Sequence, residues 1–182
     1  METTQDYLLK RRVSLLQPRH GYRAGIDPVF LAASASIKEG ERVLDVGCGV
    51  GAAALCVGAR VPFAEIVGLE KEEALVQFAR QNVEDSGLGQ RMRIIAGDLM
   101  SLPSELEGAR FDHVITNPPF VAAGHTPSQC DLKRKAHHEE ADVTIEVWLK
   151  ACLKLLKERG TLSVIHRMDR LDQMLAYLWG RV

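Results

Sequence analysis

The sequence predicts an α/β protein with a mostly parallel sheet and helices on both of its faces. Three observations point there. From Arg42 onward, short apolar runs alternate with longer amphipathic stretches, which is the pattern of βαβ units. The short runs are continuous rather than alternating in polarity, as strands buried on both faces are. The longer stretches repeat their apolar residues at helical spacing and stop at glycines.

Taken in order, residues 1 to about 25 carry two apolar pieces, 7–9 and 13–16, around Lys10, Arg11 and Arg12, a pattern that suits a hairpin. Pro18 and Gly21 then punctuate the chain. Residues 28 to about 37 read as a buried helix with Asp27 as N-cap, Pro28 at its first position and Gly40 beyond its end. A strand at 42–46 leads through a glycine turn into a helix at 51–59. A second strand at 65–69 precedes a helix at 71–86, with Ala74, Leu75, Phe78 and Ala79 on one face and Gly87 as its stop. Strands follow at 92–95 and 111–116, and residues 121–141 read as polar and irregular. Trp148, Ala151, Cys152, Leu155 and Leu156 mark one face of a helix that Gly160 is expected to break. A fifth core strand at 161–165 and a helix at 169–179 complete the pattern.

Composition bounds the function. With 182 residues, 46% of them apolar and 26% charged, the chain is an ordinary globular domain. No apolar run approaches the ~20 residues of a membrane helix. The first six residues are polar, unlike a signal peptide, so a cytoplasmic protein is expected. A net charge of −1 gives no global sign of a nucleic-acid binder, so such a partner would need local basic patches. Cys48, Cys56, Cys130 and Cys152 form no CxxC pair and read as reduced thiols. His137 and His138 are adjacent and cannot easily share one tetrahedral centre, so no metal is expected.

In a parallel sheet, ligands bind beyond the carboxyl ends of the strands. Four strand ends carry suggestive residues. The first is Asp45-Val46-Gly47-Cys48-Gly49-Val50-Gly51, which also satisfies a dinucleotide pattern through Gly47, Gly49 and Ala52. Its glycines permit a tight turn, and the helix that follows offers unpaired N–H groups. The second is Glu70, a carboxylate placed to accept two ribose hydroxyls. The third is Asp98, beside Leu99, where an acid can accept from an adenine amine; a turn aspartate is the commoner explanation of such a residue. The fourth is Asn117-Pro118-Pro119-Phe120. Two prolines remove backbone donors and stiffen the turn, so the Asn117 side-chain oxygen and the Pro118 carbonyl are held as acceptors for a planar amine. Phe120 offers an apolar face for stacking.

Together these residues resemble the class I S-adenosylmethionine-dependent methyltransferases, in the branch that methylates amines through an Asn-Pro-Pro-aromatic motif. Residues 17–27 and the Ala136-His137-His138-Glu139 stretch are similar to the bacterial family that methylates adenine N6 beside the anticodon of a valine tRNA. The resemblance implies a Rossmann-like sheet and S-adenosyl-L-methionine as cofactor. It assigns Asp45, Gly47, Gly49 and Gly51 to the methionine and ribose side, Glu70 to the ribose hydroxyls, and Asp98 with Leu99 to the adenine. Asp27, Cys48, Lys71 and Asn117 complete the candidate cofactor contacts. Asn117, Pro118 and Phe120 are the candidate catalytic residues, gripping and stacking the target base. Candidate substrate contacts are Tyr22, Arg23, Pro119, Lys133, Arg134, Lys135 and His137, the basic ones in clusters before the core and after the NPPF motif that suit RNA phosphates.

The motif leaves the planar amine open among adenine N6 in tRNA, guanine N2 in ribosomal RNA and a protein glutamine. An NAD-dependent oxidoreductase accounts for the glycine turn and Glu70 but not for NPPF. A binding module without activity is the remaining alternative. One domain spanning 1–182 is expected, with an N-terminal substrate-side extension (1–25) and a catalytic core (26–182) that looks incomplete. Relative to the seven-stranded methyltransferase sheet, strands six and seven appear absent, which suggests a fragment or a partner covering the edge of the fifth strand.

Overall fold

A computed structural model describes residues 2–119 and 143–181. β1 (Thr3–Leu8) and β2 (Val13–Pro18) form the antiparallel hairpin that the apolar pieces suggest. Val13 and Leu15 alternate inward and are buried, while Leu9, Lys10 and Arg11 make the turn at positive φ. Then follow α1 (Asp27–Ser34), β3 (Arg42–Val46), α2 (Ala52–Arg60), β4 (Glu65–Glu70), α3 (Glu73–Asp85), β5 (Met92–Ala96) and β6 (Phe111–Thr116). After the undescribed stretch come α4 (Ile145–Leu153), β7 (Leu156–Val164) and α5 (Leu171–Leu178).

Five strands form one parallel sheet in the order β5-β4-β3-β6-β7. From β3 the chain steps outward through β4 to β5, then returns to the other side of β3 as β6. The strand order therefore reverses between β3 and β6, and ligands bind at the carboxyl end of such a switch point. Side chains alternate strictly across the sheet. Val43, Ile66, Ile94 and Ile115 pack against α1, α2, α3 and the hairpin. Leu44, Val46, Val67, Leu69, Ile95 and Val114 pack on the other face with Phe111, Leu106 and Cys152 of α4. Both faces are covered, as the continuous apolar strands require.

One buried side chain joins the hairpin to the region of the glycine turn. Asn82 of α3 accepts from Leu16 N–H (2.7 Å) and donates to Leu16 C=O (2.9 Å) and Val50 C=O (3.0 Å). Asn82→Ala strands all of these backbone groups, and a loss of about 2 kcal/mol is expected in denaturant titrations. An unchanged midpoint would contradict this role.

Several sequence expectations need correction. The expected absence of strands six and seven does not hold: counted along the chain, the sixth and seventh strands are β6 and β7, and both are formed in the sheet. The expectation counted strands from Arg42 and left out the two hairpin strands, which form a separate antiparallel sheet. Gly160 does not break a helix. α4 ends at Leu153, and β7 begins at Leu156, which pairs with Phe111. The polar stretch Lys157-Glu158-Arg159 hides this strand start because it lies in a bulge at the sheet edge, where the register jumps between Phe111 and His113 and Arg159 adopts φ +62°. At α1, Asp27 is the first helical residue and Ile26 the cap, without a side-chain capping bond.

Candidate functional site

Strand register brings the four sequence sites to one edge. Val46 pairs with both Leu69 and Thr116, and Glu70 pairs with Ala96. The residues that follow these positions, Gly47, Asp98 and Asn117, therefore leave the sheet at its carboxyl end together with Glu70.

The glycine turn is wrapped around the end of β4. Gly47 and Cys48 N–H groups both donate to Leu69 C=O (2.8 and 3.0 Å). Gly49 N–H donates to the Glu70 carboxylate (2.8 Å), whose other oxygen accepts from Glu72 N–H (2.9 Å). Each carboxylate oxygen retains a lone pair for a further donor. Gly47, Gly49 and Gly51 lie at φ +68°, +56° and +85°, a region that L side chains rarely adopt. Close approach adds a second reason at Gly49 alone. A Cβ on Gly49 would sit 2.6 Å from the Tyr22 ring, and one on Gly47 would sit 3.4 Å from the Trp148 ring. The turn thus lies between two aromatic side chains from opposite ends of the chain.

Two buried acids hold the turn. Asp45 (2% exposed) accepts from Ala54 N–H (3.1 Å) in the first turn of α2, and Glu70 (6% exposed) holds Gly49 as described. Burial pushes the Asp45 carboxyl up to about 7; the Ala54 hydrogen bond opposes this, and the nearby Glu70 charge adds to it. Burial first, then the Asp45 and Glu70 charges, push the Cys48 thiol well above its ordinary value, so it serves as an inert packing group.

A pH dependence follows from Asp45. Between its ordinary value of 3.8 and about 7, the folded protein holds a proton that the unfolded chain releases. The stabilisation from this group is full below about pH 4 and lost as the pH rises through about 7. Asp45→Asn removes that dependence, so the Tm of the variant relative to the natural chain is expected to rise across this window. A Tm difference that stays constant across it would contradict the assignment.

At the end of β6, Asn117 Oδ1 is buried and has no hydrogen-bond partner among the described residues. Burying an unpaired amide oxygen is unfavourable, so this atom awaits a donor. Pro118 is buried and Pro119 exposed beside it. Thr116, immediately before, is fully buried; its hydroxyl donates to Val46 C=O (2.9 Å) and accepts from the Trp148 indole N–H (3.0 Å).

The remaining candidates divide. Leu99 is buried, and Asp98 Oδ1 accepts from Met100 N–H (2.8 Å), the local turn bond of an aspartate that keeps its second oxygen outside this bond. Lys71 is exposed just after Glu70, and Asp27 is half-buried at the start of α1. Tyr22 lies against the glycine turn. Arg23 is committed to the hairpin, donating to Thr4 Oγ1 (2.7 Å), Pro18 C=O (3.0 Å) and Asp6 (2.8 Å). Arg12 donates to Ala59 C=O near the end of α2. Eight residues of helix separate Ala59 from Gly51, about 12 Å, so the Lys10–Arg12 turn lies toward the opposite edge of the sheet. Phe120, Lys133, Arg134, Lys135 and His137, with Cys130 and His138, lie outside the described residues. Sequence reasoning missed Trp148 and Thr116, because both read as core positions of their elements.

The chain is similar to known proteins in sequence and in fold. The sequence model of the methyltransferase small domain family matches residues 28–178. A Bacteroides thetaiotaomicron protein described as tRNA1(Val) (adenine(37)-N6)-methyltransferase is 34% identical over 154 residues, covering 84% of this chain and 62% of the relative. The chain thus spans less than two thirds of that relative's length. Among solved structures, a predicted O-methyltransferase from Agrobacterium tumefaciens superposes with a TM-score of 0.64 at 22% identity, covering 84% of this chain and 66% of that one. A methyltransferase from Geobacter sulfurreducens, solved with S-adenosyl-L-homocysteine, gives 0.54 at 19% identity, covering 81% of this chain and 50% of that one. These likenesses establish the fold: a Rossmann-like methyltransferase sheet. Among the described residues, no helix is long and apolar enough to cross a membrane.

Proposed function

Because the chain belongs to the methyltransferase small domain family, we propose that it transfers the methyl group of S-adenosyl-L-methionine to an exocyclic amine, adenine N6 of a tRNA. The observation that carries this reading is the buried Asn117 Oδ1, unpartnered among the described residues, beside the glycine turn at the switch point of the sheet.

The residues present fit the cofactor. Gly47, Gly49 and Gly51 allow the positive-φ turn at the end of β3, and the Glu70 carboxylate keeps lone pairs for ribose hydroxyls. Leu99 offers a buried apolar contact for the adenine, beside the Asp98 carboxylate. Asp27 stands for the methionine side, and Tyr22 for the substrate. When bound, S-adenosyl-L-methionine supplies an already activated sulfonium methyl group. The protein's own part is alignment. Asn117 Oδ1, with the Pro118 carbonyl, accepts the two amine hydrogens and turns the nitrogen lone pair toward the donor. The same acceptors stabilise positive charge as it develops on that nitrogen. No strong base is needed before the proton departs. Phe120 is proposed to stack on the base once it has left the RNA loop. Lys133, Arg134, Lys135 and His137 are proposed to meet the RNA backbone. A tRNA substrate would place the reaction in the cytoplasm.

The choice of tRNA adenine rests on the name carried by the Bacteroides relative and on residues 17–27. Incubation with labelled S-adenosyl-L-methionine and total tRNA, ribosomal RNA or release factor, followed by mass spectrometry of nucleosides and peptides, tests it. N6-methyladenosine in tRNA is expected; label in N2-methylguanosine or a glutamine would overturn the substrate.

A further inference from the structure

The two reacting partners are held by different strands, β3 for the glycine turn and β6 for Asn117. A single side chain from the opposite end of the chain touches both. The Trp148 ring packs against Gly47, its Cζ2 and Cη2 atoms 3.4 and 3.5 Å from where a Cβ would stand. Its indole N–H donates to Thr116 Oγ1 at 3.0 Å, and Thr116 in turn donates to Val46 C=O at 2.9 Å. Thr116 is fully buried and directly precedes Asn117; Val46 directly precedes Gly47.

We propose that Trp148 is a positioning residue, a strut that sets the separation between the glycine turn and Asn117. Mere filling of this space would need only an apolar ring. The indole adds a donor whose acceptor is a hydroxyl that bridges the ends of β3 and β6. Its edge also lies against Gly47, in van der Waals contact with where a Cβ would stand. Its own helix is capped just before it: the Thr144 side chain accepts from Val147 N–H (3.4 Å), and Trp148 N–H donates to Thr144 C=O (3.0 Å). A shift of this strut changes the distance between donor and acceptor without removing a group that touches either one. In-line transfer is sensitive to such shifts, since a misplacement near 1 Å can lower rates by about a hundredfold.

The turnover arm of the test rests on the methyl-transfer reading; the spectroscopic arm needs only S-adenosyl-L-homocysteine. Trp148→Phe deletes the donor and, because the Cζ2 and Cη2 atoms that meet Gly47 belong to the outer ring of the indole, also shortens that contact; Thr116→Val removes the acceptor alone. Trp148→Phe is expected to lower kcat about tenfold at saturating tRNA and cofactor, while the calorimetric Kd for S-adenosyl-L-homocysteine stays within about threefold. Thr116→Val is expected to match that loss, and the double variant to add little to either single change. A kcat within twofold of the natural chain, with only Tm lowered, would reduce Trp148 to a packing residue and overturn the proposal. In Trp179→Phe protein, Trp148 is the sole remaining tryptophan, since the chain has two. Its emission is expected to change saturably with S-adenosyl-L-homocysteine, with the calorimetric Kd. Emission that stays constant through saturation would overturn the proposal even if Trp148→Phe failed to fold. Absence of methylation by the natural chain would count against the tRNA reading and leave this spectroscopic result to decide the strut.

Discussion

Replacing Asn117 by alanine is expected to slow methyl transfer by about 10²–10³-fold while leaving cofactor affinity within about threefold. The Asn117 Oδ1 atom is buried and unpartnered among the described residues, so its acceptor strength is spent on none of them. It gains importance as positive charge grows on the amine nitrogen, which is why the loss falls on the rate. The β6 strand holding it is fixed by Thr116, whose hydroxyl and carbonyl are engaged by Val46 C=O and Ile165 N–H. Alanine therefore deletes the acceptor without freeing the backbone. Single-turnover assays beside calorimetry separate the two quantities. Turnover equal to that of the natural chain would remove Asn117 from the mechanism.

The second large effect belongs to Gly49→Ala, for which a loss of cofactor affinity of about a hundredfold or more is expected. Two causes add. The residue sits at φ +56°, where a side chain costs roughly 1–2 kcal/mol. Its new methyl group would also lie 2.6 Å from the Tyr22 ring, forcing that ring out of its place. Tyr22→Ala in the same protein is expected to restore the part due to the ring and leave the part due to the backbone. Affinity unchanged in Gly49→Ala would mean that the turn does not face the ligand.

The strand ends were legible because each carries its chemistry locally. Glycines at Gly47 and Gly49, an acid at Glu70 and the prolines after Asn117 are unusual residues for those positions whatever surrounds them. The sheet core was legible because strands buried on both faces are apolar throughout. What escaped was set by tertiary contact. Trp148 lies on an apolar helical face, and nothing in that spacing distinguishes a core ring from one that donates to Thr116. Glu70 reads as a ligand for ribose, but its bond to Gly49 N–H also makes it the organiser of the turn. Arg23 reads as a phosphate contact until Asp6, seventeen residues earlier and in no obvious pattern with it, is brought beside it by the hairpin. The start of β7 was hidden by the charged bulge at Lys157-Glu158-Arg159, which the sheet tolerates at its edge because those side chains point to solvent.

Calorimetric titration of the protein with S-adenosyl-L-homocysteine and, separately, with NAD tests the central assignment of the Asp45–Glu70 turn most directly. One-to-one binding of S-adenosyl-L-homocysteine, weakened at least tenfold in Glu70→Ala, with no heat from NAD, is the expected result. Binding of NAD with none of S-adenosyl-L-homocysteine would contradict it.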